Sequence, residues 1–212
     1  MDFALWLILI VPLLTAMFIS KVTGGKVSSV LLKGSITYLV FVTAVAGLKS
    51  GGNLPMGGTL AAAMAVFVLA DVLLDIRFIP GMAAFAAGHG LLIWWIVGQN
   101  MLSWVSLPIA MVLYGLVVFA FRRNLKSMGK LFVPFLIYPT VLMGMTAMAV
   151  VLPVLGGIKY LPFAAGAVLF TGSDLMLAAN MMIRLPRKWS IVSFAMYYAA
   201  IFLMALSCWV IF

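Results

Sequence analysis

The stretch Phe163–Ile183, FAAGAVLFTGSDLMLAANMMI, is apolar over a length that crosses a bilayer, for which ~20 residues suffice, yet it holds Ser173, Asp174 and Asn180. That combination limits the folds open to the chain. A carboxylate inside a membrane helix costs roughly 3 kcal/mol even on the most lenient scale. No cation lies within the next turn of sequence to offset it. Asp174 must therefore face the interior of a bundle rather than lipid, and an ionisable group held there is by default a functional one. The plainer alternative is an aspartate that only bonds neighbouring helices or backbone.

The remainder of the sequence has the same character. The chain is 67% hydrophobic and 8% charged, against ~25% charged for an ordinary soluble domain. It reads as a single integral membrane domain over residues 1–212, with very short loops and no linker, low-complexity tract or internal repeat. The net charge of +9 is spread over loop ends instead of one polar face, so it marks topology and not nucleic-acid binding. Cys208 is the only cysteine and has no disulfide partner within the chain. Met1-Asp2-Phe3 lacks a basic n-region, so the first apolar segment is expected to be a retained helix and not a removable signal peptide.

Hydropathy and punctuation predict an all-α polytopic bundle of eight transmembrane spans, at about 3–20, 31–48, 57–76, 81–98, 102–121, 130–153, 159–182 and 190–212. The loops after the first, third, fifth and seventh spans hold eleven of the thirteen basic residues; the others are Lys49 and Lys159. The positive-inside rule makes the basic loops cytoplasmic and, with an even number of spans, puts both termini outside. Compact loops and the absence of a targeting signal suit a bacterial inner membrane. At ~1.5 Å per residue, Asp71, His89, Tyr114, Tyr138, Asp174 and Tyr197 then share one layer of the cytoplasmic leaflet. Such a layer predicts a polar pocket opening toward the cytoplasmic face.

Asp71 and Asp75 are four residues apart and share a helix face. Asp75 is nearer the water and next to Arg77, which makes it structural or part of the pocket mouth. Asp71 and Asp174 form the candidate carboxylate pair. Two carboxyl groups in one low-dielectric pocket cannot both ionise cheaply, which provides one proton donor and one base. His89, flanked by Gly88 and Gly90, is either a third catalytic group or a bridge between helices. One histidine does not make a typical catalytic zinc site, and neither a metal nor a cofactor is expected. Ser173 and Asp174 face different ways on a helix, so they are not parts of a triad. Ser190, Ser193 and Tyr197 fall on one face. Ser173, Asn180, Tyr138, Tyr197, Tyr198 and Asp75 make up the candidate substrate-binding set.

At these residues the chain resembles the YhhN-like lysoplasmalogenase family of integral membrane proteins. Ala70-Asp71-Val72-Leu73-Leu74 is similar to its Gly-Asp-x-x-Leu, and Phe85-Ala86-Ala87-Gly88-His89 to its Phe-x-x-Gly-His. The run from Gly166 to Asp174 is similar to its Gly-Ala-x-x-Phe-x-x-Ser-Asp, and Tyr197-Tyr198-Ala199-Ala200 to its Tyr-Tyr-x-Ala. Ala70, Leu92 and Ile201 stand where Gly, Tyr and Gln are usual. The resemblance implies hydrolysis of the vinyl ether of lysoplasmalogens to a fatty aldehyde and a glycerophospho-alcohol. The expected partners are a lysophospholipid-type amphiphile and membrane lipids, with no nucleic acid. Arg77, Arg122 or Lys188 at the rim is expected to hold the phosphate.

Two carboxylates suit this chemistry without help from a metal. One protonates the vinyl carbon; the other stabilises the oxocarbenium ion and activates water. Two other classes use the same residue types. In a proton-coupled transporter the Asp and His form a relay. In an aspartyl intramembrane protease two membrane aspartates act together, though Gly172-Ser173-Asp174 matches that signature only in part.

Overall fold

The structure, a computed structural model, describes residues 10–11, 14–16, 18–19, 29–49, 54–124 and 129–211. With no water in a bilayer core, a backbone must satisfy its own polar groups, and a helix does so within one segment. The described residues are helical apart from short connections, with no strand among them. Seven long helices run in order: α1 (Ser29–Lys49), α2 (Leu54–Ile76), α3 (Phe78–Gly98), α4 (Ser106–Phe121), α5 (Phe132–Gly156), α6 (Leu161–Ile183) and α7 (Arg187–Val210). They match the second to eighth predicted spans. The first predicted span lies largely outside the described residues; its described part packs on α1 and α7 through Leu14 and Phe18.

Among the described residues five helices, α2, α3, α5, α6 and α7, are long and apolar enough to cross a membrane. Lys33 lies inside α1 and not in the loop before it. α4 begins at Ser106, four residues later than expected, because Trp104 and Val105 form a turn. Its 16 residues span about 24 Å. α3 starts three residues early. Arg77 alone is extended (φ −146°, ψ 115°) between α2 and α3, and Pro80 sits in the first turn of α3, where its missing N–H costs nothing.

α1, α2, α3, α5, α6 and α7 contact one another in a closed cycle, and α4 packs on α5. Lipid is as apolar as leucine, so close fit and interhelical hydrogen bonds hold such a bundle. Phe67, Leu92, Leu142, Phe163, Phe170, Ile201 and Met204 are fully buried at its centre. Trp94, Met111, Phe119, Val133 and Ile137 are exposed on its outside, an apolar surface made for lipid. Thr146 and Thr171 share a buried 2.6 Å hydrogen bond between α5 and α6. Trp209 Nε1 of α7 donates to the Thr43 carbonyl of α1 at 2.9 Å. Gly166 lets α6 approach α7 closely, since a Cβ there would lie 2.7 Å from the Ala200 carbonyl oxygen.

Candidate active site

A cavity of about 510 Å³ opens in the half of the bundle where α3, α5 and α7 begin and α2, α4 and α6 end. This is within the ~300–1,000 Å³ range of small-molecule sites. Its wall is mainly apolar, with Phe78, Phe85, Phe121, Phe135 and Met182 among the lining side chains. Asp71, Asp75, Tyr138, Ser173, Asp174, Tyr197 and Tyr198 all line it, and so does Lys33.

α1 and α2 supply one wall through a ladder of paired polar groups. Lys33 and Thr37 are four residues apart on α1, as Asp75 and Asp71 are on α2, so each pair shares a helix face. Lys33 Nζ pairs with Asp75 Oδ1, and Thr37 Oγ1 donates to Asp71 Oδ2. Tyr197 of α7 donates to that same Asp71 oxygen at 2.9 Å. Both bonds fall on Oδ2, and no hydrogen bond to the other carboxylate oxygen occurs among the described residues. Asp71 itself is only 4% exposed.

The opposite wall carries Asp174, whose Oδ2 accepts a hydrogen bond from the Tyr138 hydroxyl of α5. Each deep aspartate is thus held by a tyrosine from a different helix. Ser173 Oγ donates to the Ser193 carbonyl at 2.9 Å, and Ser193 Oγ donates back to the Ser173 carbonyl at 3.0 Å. This reciprocal clasp fixes α6 against α7. It therefore fixes Asp174, next to Ser173, relative to Tyr197, one turn after Ser193. The Ser173 hydroxyl is committed to this packing, although the residue lines the cavity.

His89 does not line the cavity. It is fully buried behind it. Its Nδ1 lies 2.7 Å from the Phe85 carbonyl oxygen, which can only accept, so Nδ1 carries the proton. The ring packs against Phe170 at 4.5 Å, Phe67 at 5.1 Å and, edge-on, Tyr138 at 6.0 Å. Gly88 allows this packing, because a Cβ there would strike the Phe67 ring. Asn180 also lies off the cavity lining, its amide 3.4 Å from Ser190 Oγ. Tyr114 is elsewhere too, with its hydroxyl 3.4 Å from the Leu136 carbonyl. Tyr198 lines the cavity, and its buried hydroxyl has no hydrogen-bond partner among the described residues.

One expectation about charge needs correction. The partner of Asp75 is Lys33, 42 residues away, and not the adjacent Arg77, because the α1–α2 hairpin sets antiparallel positions opposite each other. Arg77, Arg122 and Lys188 do not line the cavity, whereas Lys33 does. Lys33 and Thr37 are the site residues that sequence reasoning missed. A lysine near a span end looks like a topology signal, and a threonine in a membrane helix carries no cost that marks it. No group of three or more His, Cys, Asp or Glu that could hold a metal ion occurs among the described residues.

No curated protein and no solved structure matches the chain. A family model does match, that of the YhhN family, over residues 28–208. The match takes in α2 and α3 with Asp71 and His89, α6 with Asp174, and nearly all of α7 with Tyr197. The chain belongs to the YhhN family, the lysoplasmalogenase family.

Proposed function

We propose that the protein hydrolyses the vinyl ether of a lysoplasmalogen-type lipid, with Asp71 and Asp174 as base and acid. The observation that carries this reading is that the two deep carboxylates line one largely apolar cavity, each held by its own tyrosine. Family membership supports the reaction class.

Asp174 is the acid. Its proton goes to the vinyl carbon remote from oxygen, and the double-bond electrons shift to give an oxocarbenium ion. Asp71 is the carboxylate, because two hydroxyls donate to it and such donors stabilise a charged carboxylate. Its open oxygen faces the cation and takes a proton from the attacking water, so a hemiacetal forms. The hemiacetal collapses to a fatty aldehyde and a glycerophospho-alcohol. One water is consumed, and the proton returns to the dyad. His89 is a positioning residue in this scheme, since its ring backs Tyr138. We further propose that the cavity opens to the cytoplasmic leaflet and receives the single chain from the bilayer.

The test is aldehyde release from lysoplasmalogen by purified protein across pH. Asp71→Asn and Asp174→Asn keep side-chain size and remove the proton chemistry, so each is expected to lower the rate by roughly 10²–10⁴-fold. The pH profile is expected to be bell-shaped, with two apparent pKa values that belong to the pair. Full activity in either variant rejects the two-carboxylate mechanism. An unmodified protein inactive on every lysoplasmalogen puts the transporter reading ahead.

A further inference from the structure

We propose that Tyr198 and Asp71 together hold the water that attacks the oxocarbenium ion, which makes Tyr198 a further catalytic residue of the site. This rests on the lipid-hydrolase reading and names the group that places the second reactant. Among the described residues, hydroxyls of Tyr138, Ser173, Ser193, Tyr197 and Tyr198 line the cavity. Four of them are engaged within the protein: Tyr138 with Asp174, Tyr197 with Asp71, and the two serines with each other. The Tyr198 hydroxyl is buried and has no hydrogen-bond partner among the described residues.

Packing fixes that hydroxyl in place. Tyr198 is 8% exposed, and its ring lies 5.2 Å from that of Tyr197 and, edge-on, 6.2 Å from that of Phe18. A buried hydroxyl without a protein partner calls for a water or a ligand. Asp71 supplies the complementary group. Its carboxylate acts on Tyr198 through space, and its Oδ1 accepts no hydrogen bond among the described residues. A phenol can donate, and an ionised carboxylate only accepts. One water satisfies both groups: it accepts from Tyr198 Oη and donates to Asp71 Oδ1. Two polar partners are what a water needs to stay in a buried site.

A water held in this way keeps one lone pair for carbon. On attack its oxygen bonds to the oxocarbenium carbon, one of its protons passes to Asp71, and the hemiacetal forms. Without the Tyr198 donor the cation has to wait for a nucleophile, and a second course opens. The C–H bond made by Asp174 breaks again, its electron pair restores the double bond, and the proton returns to the Asp174 carboxylate. Tyr198 therefore decides between hydrolysis and reversal. A residue that only packs lowers both together and leaves their ratio alone.

The experiment incubates lysoplasmalogen with the whole purified protein in heavy water. It measures the aldehyde released and, by mass spectrometry, the deuterium on the vinyl carbon of the remaining substrate. Deuterium enters there only by protonation followed by reversal. In the unmodified protein capture outruns reversal, so the remaining substrate carries little label. In Tyr198→Phe the ratio of exchange to hydrolysis is expected to rise about tenfold or more, the weight of one hydrogen bond to a reacting group. The melting temperature is expected not to fall, because the variant removes a buried hydroxyl that no described protein group bonds. An unchanged ratio in Tyr198→Phe overturns the proposal. An unmodified protein that neither releases aldehyde nor exchanges deuterium with any lysoplasmalogen removes the hydrolase reading, and the water site is then decided by an experimental structure that orders buried water. A water within ~3.2 Å of both Tyr198 Oη and Asp71 Oδ1 keeps the site, and none there removes it.

Discussion

The two tyrosines that hold the deep aspartates are not equivalent. Asp71 accepts from Thr37 as well as Tyr197, whereas among the described residues Tyr138 is the one donor to Asp174. A hydrogen bond to a charged or reacting group is worth roughly 1.5–3 kcal/mol, or about 10–100-fold in rate. Tyr138→Phe is therefore expected to lower kcat by that amount, and Tyr197→Phe by clearly less, because Thr37 still holds the carboxylate. Single-turnover rates of the two variants decide it; a larger loss in Tyr197→Phe contradicts the assignment. Asp71 and Asp174 are legible in the sequence because a carboxylate in an apolar run carries a cost that needs an explanation. Thr37 carries no such cost, and Lys33 is hidden by resembling a loop cation. His89 is legible as buried and closely packed but not as lying behind the wall, since the sequence does not say which face of α3 meets Phe170.

At the scale of elements, the α6–α7 contact determines how well the site is aligned. Gly166 meets the Ala200 carbonyl oxygen and the Met204 backbone nitrogen, the latter at 3.3 Å from an added Cβ. These are backbone atoms, which cannot rotate away. Gly166→Ala is expected to destabilise the protein by roughly 1–3 kcal/mol, the usual cost of overpacking. Gly144→Ala is the control, because a Cβ there meets nothing within 4 Å and alanine favours a helix. Melting of both variants in detergent tests this; equal midpoints refute the close contact. The helices themselves are visible in the hydropathy, and their ends mostly fall within a few residues of expectation. The misses have local causes: Pro80 is accommodated in a first turn, and the turn at Trp104–Val105 shortens α4. The reciprocal Ser173–Ser193 bonds have no sequence signature beyond small polar residues on facing helices.

For the whole molecule, the charge bias of the loops predicts an orientation. A reporter that works only outside the cytoplasm, fused after Phe212, is expected to be active, and a strictly cytoplasmic reporter there is expected to be silent; the opposite pattern reverses the orientation. Helix order along the chain and the half of the bundle that holds the polar layer could be read in advance. The cycle of neighbours and the outer position of α4 could not. Each helix is apolar on all sides, so no amphipathic stripe tells which face meets protein and which meets lipid. The ladder between α1 and α2 also bears on how the chain enters the bilayer. Taken alone, α1 would carry the uncompensated charge of Lys33, and α2 those of Asp71 and Asp75, of which the deep Asp71 is the costliest, at roughly 3 kcal/mol. Entering together as a hairpin, they cancel Lys33 against Asp75 and give Asp71 a donor before any other helix arrives. The contacts that line the finished cavity thus favour joint insertion of these two segments over separate entry.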